Sequence, residues 1–191
     1  MSDYMVDQSS GTATARYSAA AATFHWISAA LVLVQIYLGL TFHDYPKGSA
    51  MRDSLFMWHR TLGVVILLFT LMRLVQRLIS PPPPYPVDVP TWDRAVAVWT
   101  HRLFYLLLVV IPLTGFVAVS RPGRTSVELA GGINIPTLPL GEAIGGTHEL
   151  LAWGLIVLLV LHLAGAVWHQ WIRRDHAAGR MPPFPTRDGQ G

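Results

Sequence analysis

The chain has 191 residues, 52% of them apolar and only 13% charged, about half the charged share of an ordinary soluble domain, which points to lipid as its solvent. It has no cysteine, which excludes disulfides, thiolate metal sites, iron-sulfur clusters and thioether-linked cofactors. A net charge of +3 and a pI near 9.6 would suggest nucleic acid for a soluble protein, but the basic residues flank apolar runs and read as topology signals, so no nucleic-acid partner is expected.

In chain order, residues 1–15 are small and polar and read as a disordered N-terminal tail. Four stretches then reach the ~20 residues needed to cross ~30 Å of hydrocarbon. They run from Ala21 to Thr41, Met57 to Ile79, Val98 to Val119 and His148 to Trp171. The first is too long for a signal-peptide core and lacks a Lys/Arg-rich leader, so it reads as a retained span. Pro81 to Pro84 form an extended linker without backbone donors. Pro112 and Gly115 should kink or thin the third span. The long connection Ser120 to Thr147 reads as an irregular cap, and a tail follows from residue 177. The fold class is therefore an all-α integral membrane four-helix bundle, its membrane domain spanning residues 16–176.

With both termini inside, the inner side collects Arg16, Arg73, Arg77, Arg94, Arg102, Arg173, Arg174, Arg180 and Arg187, leaving Lys47, Arg52, Arg60, Arg121 and Arg124 outside. This excess of nine over five sets the expected orientation. Trp58, Trp99, Trp168 and Trp171 lie near span ends, as an interfacial belt would.

Of eight histidines, six fall in the spans or at their ends: His25, His59, His101, His148, His162 and His169. Ionisable groups in hydrocarbon are costly and mark function. His148 and His162 are 14 residues apart, which places them ~40° from eclipsed and ~21 Å apart along one helix. One helix face thus presents an imidazole near each membrane surface. No single metal ion binds both, but two stacked cofactors do when facing helices supply a second ligand at each level. At the outer level His59 matches the depth of His148, with His43 in the preceding loop as the competitor. Gly63, one turn beyond His59, would let a flat macrocycle approach the backbone. At the inner level His25, His101, His162 and His169 all lie at suitable depths. His25 with His162 is preferred because Leu161 and Leu163 flank His162, whereas His169 sits among Trp168, Trp171, Arg173 and Arg174 at the interface. Such pairs suit two non-covalent haem b groups, each with two axial imidazoles and no open iron position, which favours electron transfer over oxygen binding.

The order Arg16-Tyr17, Phe24-His25-Trp26, His59-Arg60-Thr61-Leu62-Gly63, Arg73 and Arg77, Ile111-Pro112-Leu113-Thr114-Gly115, Thr147-His148-Glu149 and Leu161-His162 resembles the bacterial cytochrome b561 family from Arg16 to about Pro183. The resemblance implies a multi-pass protein of the bacterial inner membrane. It also implies an inner haem on His25 and His162, and an outer haem on His59 and His148. One branch of that family oxidises superoxide at the outer face and reduces ubiquinone, so the resemblance implies an oxidoreductase with those substrates. Lys47, Arg52, Arg60, Arg121 and Arg124 would form a positive collar able to steer an anion, or to bind haem propionates or lipid phosphates. No residues here map onto a quinone pocket, and His101 and His169 are candidates for proton delivery to it. The alternative is a cytochrome subunit relaying electrons between the quinol pool and a dehydrogenase or hydrogenase-like redox partner protein.

Overall fold

The computed structural model describes residues 16–85, 89–119, 125–137, 145–173 and 178–182. The expected tail 1–15, the collar residues Arg121 and Arg124, and Arg174, His176 and Arg187 lie outside the described residues. Four long helices dominate: α1 (Ala19–Thr41), α2 (Ala50–Ile79), α3 (Thr91–Ala118) and α4 (Gly145–Val167). All four are long and apolar enough to cross a membrane. In lipid a helix satisfies every backbone donor and acceptor within its own segment, so an apolar run of this length has little alternative. Large apolar side chains along them, such as Leu33, Leu68, Leu106 and Val160, lie exposed on the helix surfaces, as expected where hydrocarbon replaces water.

Two helices start earlier than hydropathy implies. A polar, cap-rich first turn carries α2 back to Ala50, with Ser49 Oγ accepting from the Arg52 amide at 3.3 Å and Asp53 in the first turn. Likewise α3 begins at Thr91, behind Pro90 and with Asp93 in its first turn. Hydropathy registers only the apolar part of a span, so it misses these extensions. Ser18 caps α1, its Oγ accepting from the Ala21 amide at 3.2 Å. α3 runs through Pro112 as a continuous helix, and α4 passes into a π-helical stretch at Trp168–Arg173. Buried threonine hydroxyls return to their own helix, as Thr70 does to the Ile66 carbonyl at 2.7 Å, which removes the cost of an unpaired hydroxyl.

The chain divides into two compact units, and each long helix contributes a stretch to both. The first unit comprises Met1–Trp26, Met72–Phe104 and Val157–Gly191. Within it, Arg173 pairs with Asp93, whose side chain is only 5% exposed. The segment 178–182 is fastened by Arg180, which is buried, donates to the Pro83 carbonyl and lies over the rings of Tyr85 (4.2 Å) and Tyr17 (5.5 Å). The Tyr17 amide donates to the Arg180 carbonyl at 3.0 Å, and Trp26 Nε1 donates to the Pro182 carbonyl at 2.7 Å. The proline linker is thus an anchoring surface as well as a spacer: Pro83 is buried and its carbonyl receives the guanidinium.

The second unit comprises Ile27–Leu71 and Tyr105–Ile156. Here residues 125–137 of the long connection are more regular than expected. Strands β1 (Ser126–Glu128) and β2 (Asn134–Pro136) pair antiparallel, with Val127 opposite Ile135. The reversal between them uses positive φ at Gly131 and Gly132, which a side chain would disfavour. Val127 and Leu129 are buried, and the Ala130 amide donates to Thr61 Oγ1 at 2.9 Å. That bond ties the hairpin to α2 two residues past His59.

Candidate functional site

In the second unit, α2 carries His59 and α4 carries His148, and their ring centroids stand 6.2 Å apart. In the first unit, His25 of α1 and His162 of α4 stand 6.4 Å apart. Two imidazoles ligating one metal from opposite faces need centroids about 6.3 Å apart, given a metal–nitrogen distance of about 2 Å and a ring radius of about 1.1 Å. Both separations meet that requirement, so these residues fit a cofactor held by paired histidines. Among the described residues no group of three or more His, Asp or Glu converges as a metal site, whereas structural zinc takes four ligands.

His148 is the better oriented of its pair. Its Nδ1 lies 3.0 Å from the Ile111 carbonyl and 3.3 Å from Thr114 Oγ1. A carbonyl only accepts, so Nδ1 carries the proton and Nε2 keeps its lone pair for a ligand bond. Gly115 makes room for this ring: a Cβ there would stand 2.8 Å from His148 Cε1. Gly39 of α1 does the same for His59, where a Cβ would stand 3.0 Å from Cε1. A Cβ at Gly63, the glycine expected to let a flat macrocycle approach, would meet Gln35 Nε2 at 3.4 Å, an ordinary contact. Gly39 shows itself only through the ring it faces on another helix, and the role of Gly115 beside His148 adds to the thinning of α3 expected from sequence.

Gln35 itself was not anticipated. Its Nε2 donates to the His59 carbonyl at 3.0 Å and approaches His59 Nε2 at 3.4 Å. A polar residue in the apolar run of α1 was the available signal. Phe42 packs 5.7 Å from the His59 ring and 4.0 Å from His43, and His43 is exposed. Cations crowd these aromatics, with Arg52 over Phe42 at 5.6 Å and Arg60 over Phe56 at 4.8 Å.

The first unit brings a third imidazole to its pair. The His101 ring lies 5.6 Å from that of His162, shorter than two opposed ligands allow, and its Nδ1 donates to the Ala97 carbonyl at 2.6 Å. Phe104 packs against His162 at 5.3 Å. His169 lies on the π-helical stretch, half-buried. Arg73 Nη2 donates to His25 Nδ1 at 3.1 Å. A guanidinium has no acceptor, so in this arrangement the proton of His25 sits on Nε2, and ligation through Nε2 requires Arg73 to turn to another partner.

A mostly helical protein with four helices long and apolar enough to cross a membrane and facing histidines in each of two units fits the class of multi-pass membrane cytochromes. Residues 16–183 match the family of prokaryotic cytochrome b561. The chain is 31% identical over 180 residues to cytochrome b561 homolog 2 of Escherichia coli K12, covering 87% of this chain and 90% of that protein. It is 27% identical over 164 residues to cytochrome b562 of Cereibacter sphaeroides, covering 83% and 90%. It is also 24% identical over 173 residues to the probable superoxide oxidase CybB of Yersinia pestis, covering 88% and 96%. The chain belongs to the prokaryotic cytochrome b561 family, whose members bind haem b and transfer electrons across membranes.

Proposed function

We propose that the chain carries two haem b groups, an inner one on His25 and His162 and an outer one on His59 and His148, and passes electrons from superoxide at the outer face to ubiquinone. The observation that carries this reading is the pair of centroid separations, 6.4 and 6.2 Å, each close to what two opposed axial imidazoles require. The excess of Lys and Arg on the side of the termini supports an inner-membrane orientation with both ends inside. A haem with two axial histidines supplies one-electron exchange without an open iron position.

The chain's own residues supply the rest. The Ile111 carbonyl holds His148 in the tautomer that ligates. Phe104 and Phe42 wall the rings of His162 and His59 with apolar surface. Lys47, Arg52 and Arg60 raise the local concentration of an anion at the outer face, and the likeness to a probable superoxide oxidase supports superoxide as that anion. Arg73 has a natural alternative partner to His25 in a cofactor carboxylate, with which guanidinium pairs bidentately. Two superoxide anions lose one electron each to give two dioxygen molecules, and quinone takes those two electrons with two protons to give quinol.

The test is a visible spectrum of purified protein before and after dithionite, with haem stoichiometry. Two haems in the wild type and one in His148→Ala are expected, and retention of both by that variant overturns the outer assignment. A superoxide pulse with quinone present should reduce the haems and form quinol. Absence of haem reduction overturns the substrate, and a stoichiometric redox partner that co-purifies would replace it with the relay role.

A further inference from the structure

His59 and His148, the facing pair of the second unit, differ in one respect. His148 Nδ1 is hydrogen-bonded to the Ile111 carbonyl, whereas His59 Nδ1 is buried without a partner. The amide that touches the His59 ring has the matching gap, because Gln35 Oε1 is also buried without a partner. A buried donor and a buried acceptor left open on adjoining groups each cost about 1–3 kcal/mol. Native interiors leave few such atoms.

A half-turn of the His59 ring about its Cβ–Cγ bond would exchange Nδ1 with Cδ2 and so offer the open donor to the open acceptor. In the present orientation the ring edge bearing Nε2 faces Gln35 at 3.4 Å, and the edge bearing Cε1 and Nδ1 faces Gly39. The half-turn exchanges the edges, bringing Nδ1 to the Gln35 side and turning Nε2 away from the amide. Gln35 Nε2 keeps its bond to the His59 carbonyl, which leaves Oε1 as the acceptor for Nδ1–H. A Cβ at Gly63 would sit 3.4 Å from Gln35 Nε2, an ordinary contact that leaves the amide in place.

We propose that Gln35 is the positioning residue of the outer haem site: it grips His59 at two points, backbone carbonyl and Nδ1–H, and so sets the tautomer and electron donation of that ligand. The inference rests on His59 being an axial ligand. Hydrogen bonding to the distal nitrogen of a ligating imidazole raises its basicity and favours the oxidised metal.

The experiment compares the wild type with Q35L, which removes the acceptor, and Q35E, which strengthens it. Each is examined by redox titration and by the electron paramagnetic resonance of its ferric haems. In Q35L the midpoint potential of the haem that His148→Ala removes should rise by the equivalent of a three- to tenfold shift in reduced over oxidised, a tenfold shift being 59 mV for one electron. Its resonance should shift as well, while the other haem stays unchanged. Q35E should keep or lower that potential. Leucine fills the volume of the amide with apolar atoms inside an apolar span, so the fold should be retained, and haem stoichiometry together with thermal stability of Q35L checks that it is. Two haems with unaltered potentials and resonances in Q35L would overturn the role of Gln35 and leave the haem assignment standing. A colourless wild type would overturn the haem assignment, and this inference with it.

Discussion

Replacing Gly115 by alanine separates the needs of the helix from those of the site. The added Cβ would stand 2.8 Å from His148 Cε1 and 3.0 Å from Nδ1, against the 3.4 Å at which ordinary contact begins. The ring must therefore retreat by at least 3.4 − 2.8 = 0.6 Å. Its Nδ1–H bond to the Ile111 carbonyl, 3.0 Å long, cannot follow unstrained, since the added group lies beside that same nitrogen. Loss of one hydrogen bond that orients a ligand is worth about 1–1.5 kcal/mol, close to a tenfold weakening of haem binding at that level. The helix gains instead, because alanine is favoured over glycine in a helix interior by about 1 kcal/mol. Haem content of purified G115A, set against its thermal stability, distinguishes the two effects. We expect depleted haem at the His59–His148 level with the fold retained. G154A serves as the control, since nothing lies within 4 Å of a Cβ at that position of α4. Equal haem content and equal spectra in G115A and the wild type would refute the reasoning.

Three further outcomes follow from other contacts. R180A should destabilise the detergent-solubilised protein by about 2 kcal/mol, through loss of the Pro83 bond and the two tyrosine faces; thermal denaturation measures this. R180K should not restore it, because an ammonium lacks the planar fork that stacks and donates together. T61V removes the acceptor of the Ala130 amide at a cost of about 1 kcal/mol, seen as faster hydrogen exchange across residues 125–137 with little change elsewhere. R73Q takes a positive charge from beside His25, so the potential of the haem at that level should fall in a redox titration, by the equivalent of on the order of 1 kcal/mol.

Much of this protein was legible from composition and spacing. Lipid leaves a long apolar run little choice but helix, so the four spans follow from the chain alone, apart from the polar first turns of α2 and α3. The depth of each histidine follows equally, because helical rise and phase are local properties of one segment. The choice among partners was not local. His162 has both His25 and His101 within reach, and their separations of 6.4 and 5.6 Å distinguish the first as the spacing two opposed ligands would need.

The tertiary structure also decided which glycines matter. Helical phase states where a residue points from its own axis, but not what stands opposite, so sequence marks Gly115 only as a thinning of α3 and does not mark Gly39. Arg180 and Thr61 belong to the same class. In sequence they are a basic residue near the C-terminus and a threonine in a span, and each acquires its role from a carbonyl, ring or amide at least 69 positions away. Local sequence thus determined the elements and where along each helix its histidines fall, because solvent and helix geometry act on each segment separately. Packing between segments decided the pairing, because that depends on side chains meeting from independent helices.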